Sequence, residues 1–382
     1  MAVSHRVYLL PGFFGFANLG ELVYFRHVKT ALESAFALRG VTVSVVAVSS
    51  RPTASIRSRA ADALKTISAT AGADDGPVHL VGHSTGGLDA RMLVTPEVAL
   101  GEGIDAGPLA RRVRTVVTVA TPHRGTPLAN FFVTYFGSQL LDLLSLFTIY
   151  ALRFGRVPLP LVLKVTGLLI RLDKFLGWKS TLVEELFQEL LGNLSPERST
   201  ALRQFFTDVR ADRSLIPQLT PEGMDVLNAT CTDRPGVRYG SVVTRAAAPT
   251  LGSFFQAGFS PYAQATHTLF AFLYARARRL PAQSVPTLTS EQVLVMTESF
   301  GAVPPATAND GIVPTISQPY GVLLSAVQAD HLDVIGHFGD STTEPPHVDW
   351  LLSGSKFRLE DFNRLWQEVA DFLIGAARPE QA

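Results

Sequence analysis

Cysteine is almost missing from this sequence: Cys231 stands alone among 382 residues. An intrachain disulfide is excluded, and so is a metal centre built on paired thiolates. Charge is scarce too. Asp, Glu, Lys and Arg make up 17% of the chain, below the roughly 25% of an average soluble domain. With 47% hydrophobic residues, the balance is the opposite of what disorder requires. Neither sign of charge prevails, since Lys+Arg and Asp+Glu both number 33. Nothing therefore points to nucleic acid or an anionic membrane surface, and an apolar or neutral partner fits better. Long hydrophobic runs are missing as well. The longest stretch without Asp, Glu, Lys or Arg, Ala246 to Ala275, is broken by Pro249, Gly252, Gln256, Gly258, Pro261 and Gln264. Leu140 to Leu152 is cut by Asp142, so no transmembrane span is expected. The apolar run Val7 to Leu10 is shorter than the roughly 7–15 residues of a secretory leader's core. A cytoplasmic location is expected, or a secreted one if a leader has been removed.

What is present alternates. Val7–Leu10, Val41–Val48, Val78–Val81 and Val113–Ala120 are short apolar runs, and helical spacing lies between them at Ser58–Thr70 and Thr85–Leu93. That rhythm predicts a parallel sheet covered on both faces, an α/β fold. After Thr126 the pattern becomes helical only, up to about residue 227. Leu182, Val183, Leu186, Phe187, Leu190 and Leu191 share one face, opened by a Thr181/Glu184 capping box, and Ser195-Pro196 and Thr220-Pro221 look like helix starts. Strand patterns return at Val237–Val243 and Val322–Val327, and a helix is expected over Leu359–Ile374. The organisation read from this is one α/β domain formed by 1–126 and 228–382, interrupted by a helical cap at 127–227, with part of 246–305 adding to the cap.

The chemistry centres on Gly82-His83-Ser84-Thr85-Gly86, which follows one predicted strand and opens a helix. A G-x-S-x-G turn in that setting forces the serine into a strained conformation above the sheet, and side chains at 82 and 86 would collide with neighbouring backbone. A serine hydroxyl needs a base. His331, in Asp330-His331-Leu332-Asp333 just past the last strand, is the first choice, with His337 and His347 as alternatives. The acid should precede it. Asp310, in Asn309-Asp310-Gly311, stands 21 residues before the histidine, with Asp333 and Glu298 as fallbacks. Two backbone N–H donors must hold an oxyanion: that of Thr85, and that of Phe13, or Phe14, in Pro11-Gly12-Phe13-Phe14.

Taken together, Leu10-Pro11-Gly12-Phe13-Phe14-Gly15-Phe16, Gly82 to Gly87, Thr121-Pro122-His123-Arg124-Gly125-Thr126, Asn309-Asp310-Gly311 and His331-Leu332-Asp333 resemble the bacterial triacylglycerol lipases and related esterases of the α/β-hydrolase fold. The resemblance implies a serine carboxylic-ester hydrolase working through an acyl-enzyme on lipid or small apolar esters, without an organic cofactor. It also implies a lid. The apolar segment Phe131, Phe132, Tyr135, Phe136, Leu140, Leu143, Leu144 and Phe147 would line an acyl pocket or meet a lipid surface, with Phe14, His83, Phe132 and Phe136 as candidate substrate contacts. Pro11-Gly12 stands where the family often has His-Gly. Several members bind a structural calcium near the histidine loop. Asp333 matches one of their ligands, but His337 stands where those members have glutamine. The same triad would also serve an acyltransferase, and a lipid-binding protein without catalysis could keep the fold.

Overall fold

Short apolar runs become strands here because both of their faces find cover. β1 (His5–Leu10), β2 (Val43–Ala47), β3 (Val78–His83), β4 (Val113–Val119), β5 (Arg238–Arg245) and β6 (Val322–Gln328) form one parallel sheet in the order β2-β1-β3-β4-β5-β6. The helices that cover the sheet and shape its loop end are α1 (Arg26–Leu38), α2 (Ile56–Thr70), α3 (Thr85–Val94), α4 (Pro127–Val133), α5 (Leu159–Arg171), α6 (Pro196–Ala211), α7 (Pro221–Thr230), α8 (Pro261–Ala277), α9 (Ser290–Phe300) and α10 (Leu359–Ala376). The computed structural model describes residues 4–13, 24–72, 76–96, 98–134, 137–138, 140–142, 144, 159–171, 188, 191, 196–256 and 258–376. Phe14, Phe136 and the Thr181/Glu184 capping box lie outside the described residues.

Alternation along β1 sets the two cores. Val7 and Leu9 face α1 and α10, packing with Val28, Leu32, Phe36, Leu365, Trp366 and Leu373. Tyr8 and Leu10 face α2 and α3, packing with Ile56, Ile67, Leu80 and Leu88. Each such fully buried aliphatic or aromatic side chain stabilises the fold by about 1.5–3 kcal/mol. Trp366 also donates its indole N–H to Val334 O at 3.0 Å, so α10 is fastened to the loop after β6.

The chain runs from β1 outward to β2, then returns to the other side of β1 to form β3. This reversal leaves a crevice at the carboxyl ends of β1 and β3, the place where open parallel sheets bind ligands. The Pro11-Gly12-Phe13 and Ser84 segments both emerge there.

Between β4 and β5 the regular elements among the described residues are all helical, α4 to α7 among them. α8 packs on α4 and α5, and the Thr166 hydroxyl of α5 reaches Ala265 O of α8 at 3.4 Å. The Thr220-Pro221 start is a true cap: the Thr220 side chain accepts from Gly223 N. Among the described residues no helix is long and apolar enough to cross a membrane.

Candidate active site

The turn after β3 is as tight as its glycines suggest. Ser84 sits at φ 55°, ψ −128°, a strained region for a residue with a Cβ. A Cβ on Gly82 would fall 2.3 Å from the backbone of Gly86 and Gly87, and one on Gly86 would fall 2.1 Å from Leu10 O. Both positions are crossed by backbone and admit only glycine. Ser84 N–H donates to Val119 O at 2.8 Å, tying the elbow to the end of β4.

The predicted acid and base meet. His331 Nδ1 lies 2.9 Å from Asp310 Oδ2. The carboxylate is held from every side: Oδ1 accepts from the N–H groups of Ile312 and Val313 at 2.9 and 2.8 Å. Oδ2 also accepts from the Thr244 hydroxyl at 2.7 Å and the Gln318 amide at 3.2 Å. His331 N–H donates to Asp310 O at 3.0 Å, which locks the two loops together. Asp310 is fully buried and His331 is 3% exposed. The carboxylate makes the Nδ1–H tautomer of His331 the favourable one, leaving Nε2 as the basic nitrogen.

The loop after β1 is held by a residue that sequence motifs do not single out. Arg59 of α2 is completely buried. It pairs with Asp89 of α3 at 2.7 Å and donates through Nη2 to Pro11 O at 2.7 Å and Gly12 O at 3.3 Å. Through Nη1 it donates to Arg51 O at 2.7 Å and Pro52 O at 3.1 Å. Burial raises the Asp89 carboxyl above its ordinary range, and Arg59 opposes the rise. Arg59→Met is expected to cost about 3–5 kcal/mol, since it strands a buried carboxylate and four carbonyls. Without Arg59 the folded-state pKa of Asp89 rises further, and such a group loses stability as pH increases from its unfolded toward its folded pKa. The deficit should therefore be larger at pH 8 than at pH 5, as read by urea unfolding at both values; an equal deficit would mean that Asp89 takes no part in it.

On the other side of the same loop, Gly12 N–H donates to Tyr24 Oη at 3.1 Å, and Tyr24 Oη lies 2.6 Å from His83 Nδ1. His83 Nε2 lies 2.8 Å from His331 O. A carbonyl only accepts, so Nε2 carries the proton. Burial, with His331 nearby, pushes the His83 pKa well down and keeps the ring neutral. Nδ1 therefore accepts from the tyrosine hydroxyl. One chain of bonds thus runs from the loop after β1, through the residue preceding Ser84, to the backbone of His331.

These loops surround a cavity of about 140 Å³, the volume of about five waters in the liquid and enough for a small apolar group. Ser84, Thr85, His331, Phe13 and Phe132 all line it, as do Tyr24, Leu128, Leu144, Leu219, Leu273, His337 and Trp350. His83 does not, contrary to the expectation that it would touch substrate. It is 1% exposed and both ring nitrogens are engaged internally, which makes it a positioning residue. The remaining alternatives fall elsewhere. His347 stacks on His27 at 3.6 Å and donates through Nδ1 to Gly336 O, and Glu298 is exposed on α9. Asp333 Oδ2 accepts from Asp330 N–H at 2.8 Å and the Ser355 hydroxyl at 2.6 Å. Burial and the charges of Asp330 and Asp349 push its pKa well up. Among the described residues no group of three or more His, Cys, Asp and Glu side chains is arranged to hold a metal ion.

Arg59 and Tyr24 were missed at the level of sequence, and His337 was named there only as an alternative base. A signal existed for Arg59 alone: it lies on the apolar stripe of α2, in line with Ile56, Ala60, Ala63 and Ile67, where a solvated arginine does not belong.

A parallel sheet with a strained serine at its switch point, an aspartate and a histidine on later loops, and an inserted set of helices define the α/β-hydrolase fold. Solved structures share it. EstA from Clostridium botulinum matches with a TM-score of 0.54 at 18% identity, over 98% of this chain and 88% of that one. Lipase 1 from Pelosinus fermentans matches with 0.53 at 17% identity, over 96% and 99%. The Staphylococcus hyicus lipase matches with 0.51 at 16% identity, over 99% and 97%. No protein-family model and no curated protein matches the chain.

Proposed function

We propose that the chain is a serine carboxylic-ester hydrolase, an esterase or lipase, with Ser84 as nucleophile, His331 as general base and acid, and Asp310 as the group that orients the histidine. The observation that carries this reading is that His331, paired with the buried Asp310 at 2.9 Å, lines one apolar cavity together with the strained Ser84. Ser84 Oγ attacks the ester carbonyl and His331 Nε2 takes its proton. The tetrahedral oxyanion is held by the N–H groups of Thr85 and Phe13. His331 then protonates the leaving alcohol, and water, activated by the same histidine, hydrolyses the acyl-enzyme.

The Phe13 assignment has a physical basis. C=O and N–H of a trans peptide point in opposite directions. Arg59 holds Gly12 O, so Phe13 N–H is directed away from Arg59, and Phe13 lines the cavity. The inserted helices act as a lid over the acyl site, with Phe132 and Leu128 on its inner side. The lining is apolar apart from the catalytic groups and a few neighbours, which suits neutral lipid esters.

The test is hydrolysis of p-nitrophenyl esters from short to long acyl chains, with a fluorophosphonate probe whose adduct is mapped by mass spectrometry. Turnover with the adduct on Ser84 is expected, and the preferred chain length separates esterase from lipase. An adduct elsewhere, or none, would refute the assignment. Activity that appears only when an acceptor alcohol is added would make the enzyme an acyltransferase.

A further inference from the structure

Buried polar atoms in folded proteins are nearly always paired, because an unpaired one has lost its water without gaining a partner. Among the described residues five side-chain atoms break this rule, and two of them, His337 Nε2 and Thr85 Oγ1, belong to residues that line the active-site cavity. Thr85 is 1% exposed and comes directly after the nucleophile; His337 is 4% exposed. The His337 ring is fixed by its surroundings. It stacks on Trp350 with ring centres 4.2 Å apart and 24° between planes, and its backbone N–H donates to Leu332 O at 3.2 Å. Trp350 and Leu332 line the same cavity. Nε2 itself is closed to solvent, but the ring lines the cavity and neither of its nitrogens has a hydrogen-bond partner among the described residues; a rigid imidazole in that state, on the loop that carries His331, has the form of half a hydrogen bond.

We infer that His337 is a specificity-determining residue, and that the site takes uncharged esters bearing a hydroxyl group away from the scissile bond, which pairs with His337. The inference rests on the ester-hydrolase reading for the reaction but not for the pairing. Three considerations select a hydroxyl. A neutral imidazole offers one donor and one acceptor, and a hydroxyl can satisfy whichever of them faces it. A carboxylate or ammonium entering an apolar cavity would lose its hydration without gaining a compensating partner. Burial, with the charges of His27 and His347 adding, brings the His337 pKa down to about 3, so the ring is neutral at working pH and gains nothing from an ionic partner.

The hydroxyl could sit on the acyl chain or on the alcohol. Ethyl hexanoate serves as the reference, against ethyl hydroxyhexanoates with the hydroxyl at successive carbons and against glycerol monohexanoate, all followed by acid release. Wild type should favour at least one hydroxylated ester by about tenfold or more in kcat/KM, the range set by one satisfied buried polar group. The favoured arm identifies the acyl or the alcohol side. His337→Phe keeps the stack on Trp350 and should bring the ratio to about one or below. His337→Gln retains a donor and an acceptor and should keep part of the preference. A wild-type ratio of one, or a ratio that His337→Phe leaves unchanged, would overturn the inference. Calorimetric titration with octanediols and 1-octanol provides a readout independent of turnover: wild type should bind a diol more tightly than the alcohol, and His337→Phe should not. If no ester is turned over and Ser84 takes no probe, the hydrolase reading fails, and the titration alone decides for or against the His337 pairing.

Discussion

Ser84→Ala is expected to lower kcat for any ester the wild type cleaves by about 10⁶-fold, the scale of removing the nucleophile from an intact triad. The rest of the site stays in place: Asp310 and His331 keep their mutual bond, and the proposed oxyanion donors are backbone groups. Residual rates should therefore stand above those in water, while KM changes little. Ser84→Gly should differ from alanine in stability. Its activity should be lost to the same degree, but the φ of 55° costs a residue with a Cβ about 1–3 kcal/mol. The glycine variant should accordingly unfold at higher urea than the alanine one. Equal midpoints would mean that the elbow is not strained, and retained activity in either variant would move the nucleophile elsewhere.

Asp310→Asn is expected to cut kcat by about 10⁴-fold with a small change in KM. The reason lies in the direction of the hydrogen bonds. Oδ1 accepts two backbone N–H groups, so the asparagine carbonyl oxygen is drawn to that side. The amide NH₂ then replaces Oδ2, which faces the Thr244 hydroxyl, the Gln318 amide and His331 Nδ1. Donor meets donor at His331, and the ring is driven toward the tautomer whose Nε2 carries a proton and cannot act as a base. Stability should fall as well, because a buried acceptor of several donors is lost. A kcat within tenfold of wild type would show that Asp310 is structural and that the acid lies elsewhere.

Much of this arrangement was legible in the chain because it depends on local rules. The strand at Val78–His83, the serine and the two glycines around it form one short-range unit whose sterics can be argued from residue types. Asp310 and His331 could be ordered along the chain because parallel strands deliver their loops to one edge. Arg59 was partly legible as a charge on an apolar stripe. Tyr24 was not legible, and His337 was legible only as an alternative base, not as a partner of Trp350. Each acts through partners distant in sequence, Tyr24 with His83 and His337 with Trp350, and neither type announces such a contact. His83 was misjudged for the same reason. Adjacency to the nucleophile suggested contact with substrate, whereas the strand alternation turns its ring away from the cavity toward Tyr24 and the backbone of His331. Strand limits moved by one or two residues, as with β5 at Arg238–Arg245 rather than Val237–Val243, because pairing with β4 and β6 decides them.

The indole of Trp366 clasps Val334, three residues beyond His331, and this has a consequence for how the protein comes into being. Ser84 leaves the ribosome early in synthesis, but the loop that carries His331 is braced by a helix translated almost 300 residues later. Translation proceeds at about 5–20 residues per second, so a nascent chain carries an inert serine for roughly fifteen seconds to a minute. If the proposed ester hydrolysis holds, a centre that is complete only when its most distal brace docks cannot act from a half-made polypeptide.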